Sequence, residues 1–310
     1  MSYELYEASY PSSDGIHSIH SEIYFPLEKT PQGIIQIAHG MVDYVERYKP
    51  LCEFFTNEGY IVAGNDHLGH GKSVSDKSEF GIFAKKGGAD FVIEDVYQMN
   101  KYLRKTYRDL PVFLLGHSMG SFIARLYAVK HPRSISGLII HGTAGPNPVL
   151  PFGKALTALM QLFLGPEYRS KFIRNLAFSG YNKRFPKEEG HNAWLTRNNE
   201  VVRKKDEDER GGFMFTVSGY RDLFYMLGKS NSKRWYKEFP KALPTLVVSG
   251  ECDPVGNYGK GPSFVYKRLM IAGCENLELK LYAGARHELF NEMNSDEIFR
   301  DLLTWLEARK

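Results

Sequence analysis

Three residues far apart in the chain, Ser118, Asp253 and His287, carry the groups that acyl transfer needs. A hydroxyl attacks a carbonyl, an imidazole takes the hydroxyl proton, and a carboxylate orients the imidazole. Ser118 stands in Gly116-His117-Ser118-Met119-Gly120, with apolar runs on both sides (FLL before, SFIA after). A G-x-S-x-G pattern between a strand and a helix sets the serine on a turn too tight for larger neighbours. It also aims the helix N–H groups and the positive end of the helix dipole at a developing oxyanion. The plainer alternative is a serine that caps the helix.

On such a scaffold the partners follow in the order acid, then histidine, each after a later strand. The apolar run Leu243–Gly250 leads into Glu251-Cys252-Asp253-Pro254, and the run Leu277–Gly284 leads into Ala285-Arg286-His287-Glu288. Asp253 and His287 therefore stand in the two required loops. Alternatives remain open at this level. Glu251 is nearer the strand end, Asp253 is also a turn former before Pro254, and His287 also reads as an ordinary loop histidine. Asp66 precedes the serine, Asp222 and His191 fall in a stretch without strands, and His141 comes before any suitable acid. The oxyanion hole needs two N–H donors. Met119, after the nucleophile, supplies one; Met41, in His39-Gly40-Met41 after an apolar run, supplies the other, with Gly40 read either as the flexible residue that turns it inward or as a plain strand exit. One such donor contributes about 3 kcal/mol to transition-state stabilisation. His67 and His70 have no third ligand nearby for a metal. No GxxxxGK[ST] or GxGxxG follows a strand. Neither a metal nor a cofactor is expected.

Strand-like and helix-like segments alternate around these residues. Ser18–Pro26, Gly33–Gly40, Tyr60–Gly71 with a glycine-rich loop at its end, Pro111–His117 and Ser136–Gly142 read as strand runs, with helical spacing at about 44–57 and 89–107. From about 143 to 241 the alternation stops and the chain is helical, aromatic and charged. It resumes with the strands before Asp253 and His287 and helices near 263–272 and 296–309. Apolar strands separated by helices imply an α/β fold with a mainly parallel sheet covered on both faces. The organisation is a core of residues 1–142 and 242–310 interrupted by a helical insertion, 143–241.

The totals agree with an enzyme of this kind. A chain of 310 residues that is 43% hydrophobic builds a sizeable core. A net charge of +4 with 36 interleaved acidic residues does not suit a nucleic-acid binder. Cys52, Cys252 and Cys274 read as free thiols of a reducing compartment. Without a visible signal peptide or an apolar run of membrane-spanning length, a cytoplasmic location is expected. The sequence sets no oligomeric state.

Taken together, HGM at 39–41, DHLGHGKS at 66–73, GHSMG at 116–120, DPVG at 253–256, RHELFNE at 286–292, and WLTRN and GFMFTVSGYRDL in the insertion make a specific set. With them the chain resembles the monoacylglycerol lipase and lysophospholipase (serine aminopeptidase S33-like) branch of the α/β-hydrolases over nearly its whole length. One departure is Val42-Asp43-Tyr44, where members often have Gly-Glu-His. The resemblance implies that 143–241 is a cap over the site and that the substrate is a single-chain lipid ester. A short-chain carboxylesterase, a serine aminopeptidase using Glu188, Glu189, Asp206 or Asp208, and a catalytically dead scaffold are the competing readings. The stretch Val149–Gly165 is apolar around most of a helix, so it is either buried against the core or meets lipid, with transient membrane-surface contact through the cap. Leu159 and Phe163, one turn apart, are the substrate-contact candidates. The charged run 198–210 reads as a solvated face, with Arg203, Lys204 or Lys205 available to a head group.

Overall fold

The computed structural model describes residues 2–186 and 189–310. One eight-stranded sheet runs in the order β1-β2-β4-β3-β5-β6-β7-β8. Its strands are β1 (Tyr3–Pro11), β2 (Ser18–Pro26), β3 (Gly33–Ala38), β4 (Tyr60–Asn65), β5 (Val112–His117), β6 (Gly137–His141), β7 (Thr245–Gly250) and β8 (Leu277–Tyr282). From β4 across to β8 every neighbouring pair is parallel, while β1–β2 and β2–β4 are antiparallel. The central strands β3 to β7 are buried at every residue, which is why they read as unbroken apolar runs. The edge strand β1 has neither an apolar run nor a buried face, and the sequence reading missed it.

Helices cover both faces. One apolar cluster sits under α2 (Gly88–Thr106), α3 (Met119–Lys130) and α9 (Lys260–Ile271). The opposite cluster sits under α1 (Lys49–Asn57) and α10 (Ser295–Glu307). Leu51 and Phe55 of α1 and Ile298, Leu302 and Trp305 of α10 fill it from one side of each helix.

Between β6 and β7 lie α4 (Leu150–Leu164), α5 (Lys171–Ala177), α6 (Asn199–Glu207), α7 (Val217–Ser230) and α8 (Lys233–Glu238). Side chains cap four of them. Ser170, Asn198, Thr216 and Ser232 accept from first-turn N–H groups of α5, α6, α7 and α8. The segment is not one layer. Tyr220 and Phe224 of α7 and Trp235 and Tyr236 of α8 join the apolar cluster beneath α3, whereas α4 packs on α7 from outside. Arg125 of α3 is fully buried with no carboxylate partner. It donates to Thr143 and Ala144, where the chain leaves the core, and to Ser230 and Asn231, between α7 and α8, with its guanidinium 4.5 Å from the Trp235 ring. One cation thus ties both crossings to the helix that starts at Ser118. Among the described residues no helix is long and apolar enough to cross a membrane.

Candidate active site

β5 ends at His117 and α3 begins at Met119, so Ser118 alone makes the turn, with φ 54° and ψ −118°. A non-glycine residue there is strained, and such strain persists only where the surroundings over-determine it. The surroundings are backbone. A Cβ on Gly120 would meet the Ala38 carbonyl at 1.9 Å, and one on Gly116 would meet the Gly120 carbonyl at 2.3 Å. Gly120 is there because the first turn of α3 presses against the end of β3, and Gly116 because the same helix folds back over the end of β5. The Ser118 side chain makes no capping bond. The hydroxyl is therefore not a helix cap, and it stays partly exposed above the sheet.

The loops after β7 and β8 bring Asp253 and His287 together. His287 Nδ1 lies 2.9 Å from Asp253 Oδ2, and both side chains are buried. A carboxylate only accepts, so His287 donates from Nδ1. Asp253 is held in turn by Ser249 Oγ at 3.2 Å and the Val255 N–H at 2.8 Å. Its turn-forming role and its contact to His287 therefore coexist. Glu251 and His191 are exposed, and Asp222 pairs with Arg221 on α7. Asp66 binds the Val45 and Lys72 N–H groups. His141 is buried behind the site, and its Nε2 accepts the Leu289 N–H at 3.3 Å. The His287 ring centroid is 4.8 Å from His117 and 5.2 Å from Trp194 of the inserted segment. Burial lowers the His117 and His141 pKa, so both rings are neutral. Ser118 Oγ has no hydrogen-bond partner among the described residues.

The backbone N–H groups of Met41 and Met119 donate to no group among the described residues. Gly40 lies against Ser118: a Cβ added there would come within 3.3 Å of the Ser118 Cβ. Gly40 itself has no positive φ. The left-handed residue is Val42, at φ 53°. The loop is shaped by polar contacts instead. His39 Nδ1 donates to the Gly40 carbonyl at 2.8 Å, and His39 Nε2 accepts the His67 N–H at 2.9 Å. Asp43 Oδ2 accepts the Gly40 N–H at 3.3 Å and the Tyr48 hydroxyl at 2.8 Å. Tyr48 in turn accepts from His117 Nδ1 at 2.9 Å. His67 and His70 are packed ring against ring with His39, and His70 also stacks on Phe83. Burial drives His70 down to about 3, so it is neutral.

A buried ion group supports the loop. Arg47 donates to Asp43 at 2.7 Å and to both oxygens of Glu288, beside His287, at 3.0 and 2.7 Å. Burial alone would raise the two carboxyls. Arg47, joined by His117 and Lys205 at Asp43 and by Lys205 at Glu288, outweighs it, and Asp43 is held well below and Glu288 below the ordinary range. Sequence reasoning passed over this group. Its one local signal is the four-residue spacing of Asp43 and Arg47 on a helical turn; Glu288 is brought in by the fold. Leu159 and Phe163 are 55% and 74% exposed on α4, whose inward residues are Gly153 and Thr157. Lys205 lies buried against the loop, whereas Arg203 and Lys204 are solvated.

Replacing Gly120 with Ala is expected to cost about 3 kcal/mol or more, the upper end of overpacking, and unfolding in urea measures it. R47M leaves two buried carboxylates without their cation and is expected to lose about 3–5 kcal/mol at pH 7. The pH dependence separates it from a simple packing defect. In the wild type these carboxyls contribute fully above about pH 4.5, the ordinary glutamate value, and the contribution is lost as pH falls through their lower folded values. In R47M acidification from pH 7 to 5 is expected to restore stability, because a proton relieves the repulsion. An R47M midpoint that moves like that of the wild type over this range would contradict the assignment.

The family model for serine aminopeptidase S33 matches residues 29–294. The human monoglyceride lipase is 26% identical over 295 residues, covering 92% of this chain and 86% of that protein. The monoacylglycerol lipase of Mycolicibacterium smegmatis is 26% identical over 316 residues, covering 97% and 96%. A thermostable carboxyl esterase from Bacillus coagulans, solved in complex with glycerol, superimposes with a TM-score of 0.92 at 28% identity over 98% of both chains. The strand order, the turn at Ser118 and the family match over most of the chain agree, and the chain belongs to the serine aminopeptidase S33 family of α/β-hydrolases.

Proposed function

We propose that the protein is a serine hydrolase that cleaves carboxylic esters of single-chain lipids, monoacylglycerol or lysophospholipid, through an acyl-enzyme on Ser118. The observation that carries this is the strained turn at Ser118 combined with the 2.9 Å His287–Asp253 pair at the ends of neighbouring strands. Ser118 Oγ attacks the ester carbonyl carbon while His287 Nε2 takes its proton. The oxyanion is held by the Met41 and Met119 N–H groups. The C–O bond to the alcohol then breaks, and His287 gives the leaving oxygen its proton. Water, deprotonated by the same nitrogen, attacks the acyl-enzyme and releases the fatty acid. Asp253 keeps the imidazole in one tautomer and stabilises the imidazolium.

Two features support a lipid substrate. The human and Mycolicibacterium smegmatis relatives, which match over most of the chain, are named as lipases of monoacylglycerols, and a Bacillus subtilis relative that covers 87% of it is named a phospholipase. The segment 143–241, read as a cap, also presents Phe152, Leu159, Leu162, Phe163 and Phe172 to the outside. Such an apolar outer face suits contact with a lipid surface, with Leu159 and Phe163 meeting the substrate as it leaves that surface. The aminopeptidase alternative needs a free acidic residue for an α-amine. Glu189 pairs with Arg286, Asp206 accepts from Asn192, and Asp208 is bound to Tyr44 and lies beside Arg210. Glu188 lies outside the described residues.

S118A is expected to keep the fold and lose both turnover and labelling by a fluorophosphonate. Labelling of S118A would reject the nucleophile, and a wild type that does not label would point to a scaffold. D253N is expected to fold and to lose on the order of 10⁴ in kcat. Substrate class is read from esters with two to eighteen acyl carbons. Each buried CH₂ contributes about 0.8 kcal/mol, so kcat/KM is expected to climb with length and to be far higher for monoacylglycerol than for triacylglycerol. A peak at acetate would favour the short-chain esterase. L159S/F163S is expected to lower long-chain turnover while leaving acetate turnover and stability nearly unchanged, since both side chains are exposed.

A further inference from the structure

Lys205 is out of place for a residue in a charged surface run. Its neighbours Arg203 and Lys204 pair with Glu207 and Glu200 at the surface of α6. Lys205 is only 7% exposed and forms no ion pair among the described residues. Its ammonium instead donates to the Val42 carbonyl, and its stem lies over Gly211, where a Cβ would stand 3.1–3.3 Å from the lysine's outer atoms. A buried ammonium satisfied by one carbonyl is unfavourable on its own account, so the contact calls for an explanation. Burial lowers it to about 8, with Arg47 adding to the effect and Asp43, Glu288 and Asp208 opposing, which leaves it charged at pH 7.

The acceptor explains it. Val42 is β-branched and sits at φ 53°, a region that β-branched residues avoid. Gly40, two residues before it, and Asp43, the next residue, are tied to the core through the Asp43 carboxylate, Tyr48 and Arg47. Among the described residues the Val42 carbonyl has no other donor than Lys205. The same stretch grips the loop twice more. Asp208 accepts from the Tyr44 hydroxyl, and Arg210 pairs with Glu46 at 2.9 Å while its guanidinium lies 4.0 Å from the Tyr44 ring. If Val42 relaxed to negative φ, the Met41–Val42 peptide would turn and displace the Met41 backbone, which carries the N–H, with it.

We infer that Lys205 is a positioning residue: seated from the inserted segment, its ammonium locks Val42 in the left-handed conformation and so keeps the Met41 N–H aimed at the oxyanion. The inference rests on the proposed role of Met41 in ester hydrolysis. It makes the oxyanion hole complete only while residues 205–210 are docked on residues 42–46.

The test combines K205M, which keeps the stem and removes the donor, with V42G, which removes the conformational conflict because glycine adopts positive φ freely. K205M is expected to lower kcat about 10²-fold, the effect of losing one oxyanion donor, with KM changed less than about threefold and fluorophosphonate labelling slowed in parallel. V42G/K205M is expected to recover to within about tenfold of the wild type, and R203M and K204M to turn over normally. Wild-type kcat in K205M, or a K205M defect that V42G does not rescue, overturns the inference. If K205M does not fold, R210A decides: a roughly tenfold lower kcat at unchanged KM supports it, and an unchanged kcat overturns it. Failure of the wild type itself to label would instead reject the hydrolase reading.

Discussion

The contact of the first turn of α3 with the end of β3 is the constraint on which the site depends. With the Ala38 carbonyl 1.9 Å from where a Gly120 Cβ would stand, the helix can begin nowhere else, and Ser118 must make the turn at φ 54°. The strain is local and is offset by the apolar burial on either side, where β5 is buried at every residue and Phe122, Ile123 and Ala124 anchor the helix. The same approach puts Gly40 against Ser118, so one packing event brings the hydroxyl and the candidate oxyanion loop together.

That loop is held by charge as well as by the packing of Met41 and Val42 on the core. Asp43, Arg47 and Glu288 are buried, and removing water from three charged groups is favourable only with near-complete hydrogen bonding, which Arg47 supplies through its two end nitrogens. Their value lies in direction. Asp43 reaches the Gly40 N–H and Tyr48, Tyr48 reaches His117, and Glu288 lies next to His287 in the chain. A single ion group therefore connects the loop after β3, the turn after β5 and the loop after β8, the three places that carry the proposed chemistry.

The inserted segment is divided between two tasks. Its aromatic residues on α7 and α8 are core, and Trp194 lies beside the His287 ring. Its outer helix α4 exposes the apolar side chains that a buried helix would turn inward. Between the two, residues 205–210 rest on the candidate oxyanion loop.

The α/β architecture was legible in the sequence because strands buried on both faces must be continuously apolar; the candidates Ser118 and Asp253 each follow such a strand, whereas His287 follows β8, where Leu277, Leu279 and Leu281 alternate with exposed charged residues. The edge strand β1 was not, since an exposed edge leaves no hydrophobic pattern. The apolar content of Val149–Gly165 was plain, but its direction was not: composition records how much apolar surface a helix has, and only packing on α7 decides that Leu159 and Phe163 face outward. Gly40 read as the flexible residue of the oxyanion loop, whereas the left-handed residue is Val42, held by a lysine 163 positions later. The three-way pairing of Arg47 has the same origin. Local spacing determines which groups share a turn, but pairing across hundreds of residues exists only once the sheet has brought its strand ends together.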